Sequence, residues 1–209
     1  MTITINELAR VEIEDYEIIV VQDPDPEDPR KFSEPLGKMV CWHGHYLLGD
    51  DHGYRTPQEF KDAIQPLLRR RQIVMLPLYL LDHSGLALST QPFNDPWDSG
   101  QVGWIYASYD EIRKAFGVQR VTKRIRDLAV SRLVAEVEEY NSYLQGDCYG
   151  YEINKLERCT SCQSVSREQV SSCYGFFGDC RENGILEAIV FDLPEPLRGE
   201  AREKLLTTL

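Results

Sequence analysis

The stretch from Ile73 to Ala107 reads IVMLPLYLLDHSGLALSTQPFNDPWDSGQVGWIYA, and its pattern decides the predicted fold. It contains three apolar runs with the length and composition of β-strands: Ile73–Leu81, Leu86–Thr90 and Val102–Ala107. The first two runs are separated by the four-residue turn Asp82–Gly85, and a longer segment rich in turn-forming residues leads to the third. We therefore predict that these strands form an antiparallel meander.

On either side of this meander the sequence predicts helices and further strands. The predicted strands are Val11–Val21, Met39–Trp42 and Cys148–Leu156, and the predicted helices are Pro57–Arg70, Tyr109–Phe116, Val121–Leu144 and Pro196–Leu206. Thr56 is a typical N-cap for the first helix, and Gly117 is a typical stop for the second. In the third helix, apolar residues recur every three or four positions, which indicates an amphipathic helix lying across the sheet. The predicted fold is α+β, a mostly antiparallel sheet covered by this long helix and by shorter ones.

Composition limits the class of protein. The chain has 209 residues and is 42% hydrophobic, enough for one domain with a real core. We predict a single domain over residues 1–209, with a Cys-containing loop or small zinc-knuckle-like insertion at about 157–180. Neither a spanning apolar run nor an export signal is evident, so we expect a cytoplasmic protein with no membrane association and with reduced thiols.

Charge is distributed unevenly along the chain, whose formal net charge is -11. Residues 1–35 carry ten acidic and three basic side chains, and residues 113–132 carry seven basic side chains and one acidic. The bases at Lys123, Arg124 and Arg126 could contact phosphates, but a charged outer helix face is the more common reason for such a cluster. Since the whole molecule repels phosphate, direct nucleic-acid binding is not expected, whereas an acidic face can meet a basic protein surface.

The turns of the meander hold the residues best suited to catalysis or metal binding. Asp82, His83, Asp95 and Asp98 would form a cleft at the strand ends, suitable for a metal site or an acid/base pair in a small hydrolase or nuclease. The structural alternative assigns Asp82 and Asp98 to turn capping, with Asp98 on the nitrogens of Gly100 and Gln101, and Trp97 in the core. We predict the structural role, with no catalytic residues. The predicted binding residues are Trp97, Asp98, Ser99, Gln101, His43 and His45.

The loop after Trp42 contains three of the four histidines, His43, His45 and His52, with Asp50 and Asp51 between them. This composition could hold zinc or manganese, but no fixed fourth ligand is evident. A binding edge is therefore the preferred interpretation.

Four cysteines near the C-terminus form the best candidate for a metal site. Cys159 and Cys162 have the spacing of a zinc-binding pair, and Cys173 and Cys180 follow with a wider spacing. Zinc is the candidate cofactor, and reduced unliganded thiols or a disulfide are the alternatives. We expect residues 159–180 to form a loop.

Six segments between residues 36 and 178 carry long motifs, within a region of resemblance that spans roughly residues 23–178. They read LGKMVCWH (Leu36–His43), LGD (Leu48–Asp50), LPLYLLDHSG (Leu76–Gly85), PWDSGQVG (Pro96–Gly103), EVEEY (Glu136–Tyr140) and SCYGFFG (Ser172–Gly178). Together they resemble an uncharacterised family of proteins encoded by phages, plasmids and integrated elements. The chain departs from that family at Tyr174, where Trp is usual, at His45, where a basic residue is common, and at the Cys159–Cys162 pair.

The resemblance implies a setting in a mobile element but no reaction. No lipase-type elbow, phosphate loop or His-Glu-x-x-His helix occurs in the sequence. We therefore expect a non-enzymatic viral or mobile-element accessory protein that binds and inhibits a host or defence-system protein in the host cytoplasm, in an anti-defence role like that of an anti-CRISPR protein. The alternatives are the metal-assisted hydrolase or nuclease and a nucleic-acid-binding module.

Overall fold

The computed structural model describes residues 6–32 and 34–209 and has the predicted α+β class, with two four-stranded antiparallel sheets. The chain divides into two compact units, a finer organisation than the single domain predicted over residues 1–209. One unit is continuous and spans residues 28–145. The other is built from residues 6–27 and 146–209, so that the continuous unit is inserted between its two parts.

The elements are β1 (Glu7–Ile13), β2 (Tyr16–Gln22), α1 (Pro29–Phe32), β3 (Lys38–Cys41), α2 (Pro57–Arg69), β4 (Ile73–Asp82), β5 (Leu86–Ser89), β6 (Ser99–Ser108), α3 (Tyr109–Phe116), α4 (Lys123–Gln145), β7 (Cys148–Arg158), β8 (Val165–Phe177), α5 (Ile185–Asp192), a 3-10 turn (Glu195–Leu197) and α6 (Arg198–Thr208).

The continuous unit is a sheet with helices on both faces. Its strand order is β3-β6-β4-β5, so β6 pairs with β4 and not with β5, and the predicted meander order is wrong. The nine residues between β5 and β6 return the chain to the same end of β4, where Leu81 lies opposite Ser99. The four-residue β5 pairs with the last residues of one edge of β4, and β6 pairs along the other edge from Ile73 to Leu81.

Local capping explains where the helices of this unit begin and end. The Thr56 side chain accepts a hydrogen bond from the Glu59 N–H at 3.2 Å, as predicted for the start of α2. Ser108 and Glu111 form a reciprocal capping box at the start of α3, and Gly117 ends α3 in the left-handed conformation (φ 64°). α4 packs Leu133, among other apolar residues, into the core on one sheet face, and α2 covers part of the other face.

The second unit has the strand order β1-β2-β7-β8, and its core lies between this sheet and the helices α5 and α6. Two predictions are wrong here. The strand predicted over Val11–Val21 is the hairpin of β1 and β2, which turns at Glu14 with φ 52°. The segment 159–180, predicted as a loop, consists largely of β8. Because β8 is an exposed edge strand, its sequence is mostly polar and lacks an apolar alternation.

Among residues 6–32 and 34–209, no helix combines the length and the apolar character needed to cross a membrane.

Candidate binding surface

The topology of the continuous unit brings three loops to one end of its sheet. Since β3 and β4 are both antiparallel to β6, their C-terminal ends lie beside the N-terminal end of β6. The Trp42 N–H donates to the Val102 carbonyl at 2.8 Å, and the Asp82 N–H donates to the Asp98 carbonyl at 2.8 Å. We name this end the loop face and define it as residues 42–54, 82–85 and 90–98, with the first residues of β6.

All six predicted binding residues and all four predicted catalytic alternatives lie on the loop face. They are His43, His45, Asp82, His83, Asp95, Trp97, Asp98, Ser99 and Gln101, with Asp98 common to both sets. The structure thus groups residues that lie up to 58 positions apart in the chain. Their individual roles differ from those expected.

Asp95 builds the turn that carries Trp97. Its Oδ1 accepts hydrogen bonds from the N–H groups of Trp97 (2.9 Å) and Asp98 (3.1 Å), and the Ser99 hydroxyl donates to the Asp95 carbonyl. These N–H groups, Asp98 first and then Trp97, lower the pKa of Asp95 below its ordinary value. Asp95 is therefore the capping residue of this turn, a role that the structural alternative had assigned to Asp98.

Trp97 projects into solvent. Its relative exposure is 92%, so the expectation that it plugs the core is wrong. The turn held by Asp95 restricts the backbone on either side of the indole, which presents a large rigid apolar group at little further entropic cost. Exposed Trp side chains with fixed backbones are typical anchors of protein interfaces.

Asp98 and His83 form the one side-chain pair that the structure makes from the predicted catalytic set. His83 Nδ1 donates to Asp98 Oδ2 at 2.6 Å, with the two side chains 69% and 39% exposed. The bond fixes the imidazole so that, in its neutral form, Nε2 faces away with a lone pair. Such a pair can position a general base, and it can equally brace the two loops from which its members come.

The loop after β3 contributes apolar groups that sequence reasoning missed. His43 Nδ1 accepts from the N–H groups of His45 (3.4 Å) and Tyr46 (3.3 Å), and its ring stacks on Tyr46 with centroids 5.1 Å apart. This tight turn presents Leu47, which is fully exposed at 103%, and Tyr46, which is 41% exposed. The sequence signal was an apolar Tyr-Leu-Leu run inside a loop rich in Gly and His.

The loop face is acidic and contains no Lys or Arg from its own segments. Residues 39–54 and 72–112 contain no Lys or Arg, whereas all four histidines of the chain lie within them. Asp51, Asp82, Asp95 and Asp98 contribute carboxylates at this end. The resulting surface combines exposed apolar groups with negative charge, which favours a basic partner surface.

Asp50 and His52 have structural roles in this loop. Both oxygens of Asp50 accept from the Arg30 guanidinium, at 2.9 and 2.7 Å, and Oδ2 also accepts from the Met39 N–H at 2.8 Å. His52 Nε2 donates to the Cys41 carbonyl at 2.9 Å. These bonds engage both oxygens of the Asp50 carboxylate and one ring nitrogen of His52. Within the described ranges no group of three or more His, Cys, Asp or Glu side chains is placed to hold a metal ion.

The four cysteines proposed as zinc ligands are not brought together. Cys159 and Cys162 lie exposed at the tip of the β7–β8 hairpin, and Cys180 is buried in the core of the second unit. Cys173 lies opposite Tyr151, seven residues of β7 away from Arg158, or about 23 Å at about 3.3 Å per residue. The predicted four-ligand set is therefore corrected to the Cys159–Cys162 pair, where zinc stays a prediction.

A comparison with protein-family models, curated proteins and solved structures found no match. The class that the fold defines is accordingly an α+β protein with one discontinuous and one inserted unit. The loop face is the candidate binding surface of its inserted unit.

Proposed function

We propose that this protein is a non-enzymatic binding protein that uses the loop face to grip a basic surface of another protein. The observation that carries the proposal is the exposure of Trp97 (92%) on a turn held by Asp95. Trp and Tyr are enriched among residues whose truncation costs about 2 kcal/mol or more of binding free energy. Leu47 and Tyr46, which lie in the neighbouring loop, supply further apolar area.

The partner that fits this surface is a protein with a positively charged groove and an apolar pocket for the indole. Carboxylates around an aromatic anchor steer such a partner and exclude acidic ones. The resemblance of the motifs to proteins of phages and plasmids supports a host or defence-system protein in the host cytoplasm as the partner. Occupying its basic groove would inhibit it, which is the anti-defence role expected from the sequence.

The test is affinity capture from a lysate of the host with the wild-type protein and two matched variants. Trp97→Ala removes the proposed anchor, and Phe191→Ala removes an aromatic side chain that is 76% exposed on α5, in the other unit. We expect one protein to be retained by the wild type and by Phe191→Ala and to be lost with Trp97→Ala. Equal retention by all three would contradict the proposal.

The second candidate function is the hydrolase or nuclease, and the His83–Asp98 pair is the observation that favours it. A carboxylate that orients an imidazole is part of many general-base arrangements. Activity on phosphodiester or ester substrates that is abolished by His83→Ala, with the fold intact, would support this candidate over the binding protein.

A further inference from the structure

Cys159 and Cys162 are both exposed at the tip of the long hairpin formed by β7 and β8. The Cys159 N–H donates to the Ser164 carbonyl and the Gln163 N–H donates to the Cys159 carbonyl, both at 2.9 Å, and Gln163 adopts φ 57°. This closed turn holds both cysteines of the C-x-x-C pair at the tip, where the Cys162 sulfur lies 3.1 Å from the Ser164 hydroxyl oxygen. A pair with this spacing can supply two thiolates to one tetrahedral zinc ion at Zn–S distances of about 2.3 Å.

Residues 6–32 and 34–209 supply no more than two ligands at that position. Structural zinc sites are almost always four-coordinate, and the described residues contain no group of three or more potential ligands. Cys173 is fixed farther along the ladder by its pairing opposite Tyr151, and Cys180 is buried. A closed site therefore needs two ligands from outside the chain.

The hairpin tip can approach a second copy of itself. Residues 159–164 read CTSCQS, carry no charge and are all exposed. The tip also extends past the neighbouring strand, since β2 pairs with β7 only as far as Lys155. Two chains of net charge -11 repel each other. The tips that would meet are uncharged and lie at the far ends of the hairpins. Physiological salt screens the repulsion between the chains over about 8 Å.

We propose that the tips of two copies of this chain bind one zinc ion through four thiolates, two from each Cys159–Cys162 pair. Zinc displaces the four thiol protons as the sulfurs coordinate it. Each copy contributes half of the site, which is incomplete in a single chain. This site lies on a different unit from the loop face.

The test is a zinc titration of the reduced, chelator-treated full-length protein, with bound zinc and molecular mass measured together. We expect one zinc per two chains, a doubling of mass on addition of zinc, and a return to the monomer mass with EDTA. Cobalt(II) as a spectroscopic probe should give the absorption of a tetrahedral four-thiolate site. One zinc per chain at monomer mass, no zinc binding, or a dimer that survives EDTA would each overturn the proposal.

Cysteine variants locate the site. Cys159→Ser and Cys162→Ser should each abolish both zinc binding and the zinc-dependent doubling, because each removes one ligand from each copy. Cys173→Ser is the matched control, since it removes an exposed thiol from the same hairpin, and it should behave as the wild type. Circular dichroism checks that all three variants are folded. Zinc-dependent doubling that survives in both tip variants, or that is lost with Cys173→Ser, would show that the tip is not the site.

Discussion

Arg30 and Glu136 lie 106 residues apart in the sequence and form a buried ion pair, with Arg30 Nη1 3.2 Å from Glu136 Oε2. The two side chains are 3% and 5% exposed. Glu136 also accepts from the N–H groups of Leu36 (2.7 Å) and Gly37 (3.0 Å), and Arg30 donates to the Gly37 carbonyl at 2.6 Å and to Asp50. This network joins α1 and the segment before β3 to α4, and through Asp50 it holds the base of the loop face.

We expect Glu136→Leu to lower the free energy of unfolding by about 3–5 kcal/mol, because it removes one of the two carboxylates that pair with the buried Arg30 and leaves the N–H groups of Leu36 and Gly37 without their acceptor. Arg30→Met should cost a similar amount, and the double variant should cost less than the sum. The control is Asp110→Asn in the surface pair with Arg113, with an expected effect below about 1 kcal/mol. Urea unfolding measures all four; strict additivity of the two buried changes would contradict the network.

Gly103 and Gly100 lie in the same strand, β6, and we expect opposite responses to alanine. A Cβ on Gly103 would overlap the Val40 backbone carbonyl of the paired strand, whereas a Cβ on Gly100 would meet open space. Gly103→Ala should lower the free energy of unfolding by about 1–3 kcal/mol, the range typical of overpacking, or by more. Gly100→Ala should leave the free energy of unfolding nearly unchanged. Thermal unfolding of the two variants checks this, and equal midpoints would show that β3 adjusts to the added methyl group.

Asp98→Asn separates the two proposed functions. If Asp98 only braces His83 across the loop face, the amide oxygen still accepts the hydrogen bond and partner binding should be largely retained. An exposed pair of this kind contributes up to about 1 kcal/mol to stability, so the variant should stay folded. If the pair is catalytic, the amide lacks the charge that the chemistry needs, and the activity should be lost. A folded but inactive Asp98→Asn protein, with His83→Ala behaving alike, would favour the enzyme.

The stability of the turn that Asp95 caps should depend on pH. The N–H groups of Asp98 and Trp97 hold the pKa of Asp95 below its ordinary value of 3.8, so the carboxylate stabilises the turn fully above that value. This contribution is lost as the pH falls through the lower pKa of the folded state. We expect the amide signals of Trp97 and Asp98 to shift in NMR spectra below about pH 4. In Asp95→Asn that acid transition should be absent; an unchanged transition would assign it to another carboxyl group.

Local sequence signals predicted α2, α3, α4 and α6, but not α1 or α5. The N-cap at Thr56, the stop at Gly117 and the apolar periodicity of α4 act within one or two turns, so they can be read without the fold. The pairing of the strands could not be predicted from local sequence signals. The meander order failed because it depends on which edge of β4 the chain reaches after a nine-residue loop, and β8 was missed because an exposed edge strand needs no apolar alternation.

The candidate site was predicted in composition but not in arrangement. The sequence identified Asp95, Trp97, Asp98 and His83 as unusual turn residues, but it assigned the capping role to Asp98 and buried Trp97. In the structure, Asp95 makes the capping bonds and Asp98 reaches His83. Leu47 was missed because an apolar residue in a loop carries no sign of whether it packs inward or outward.

By itself the sequence determined the α+β class, the positions of α2, α3, α4 and α6, and the concentration of histidine, carboxylate and aromatic residues in the loops around the central strands. These follow from contacts between near neighbours in the chain, where propensity and capping are decisive. Only the tertiary structure decided that three of those loops share one end of a sheet, that Arg30 meets Glu136, and that the four cysteines stay apart. Such relations depend on strand register and on long-range closure of the chain, which are set by packing of the whole unit rather than by any local pattern.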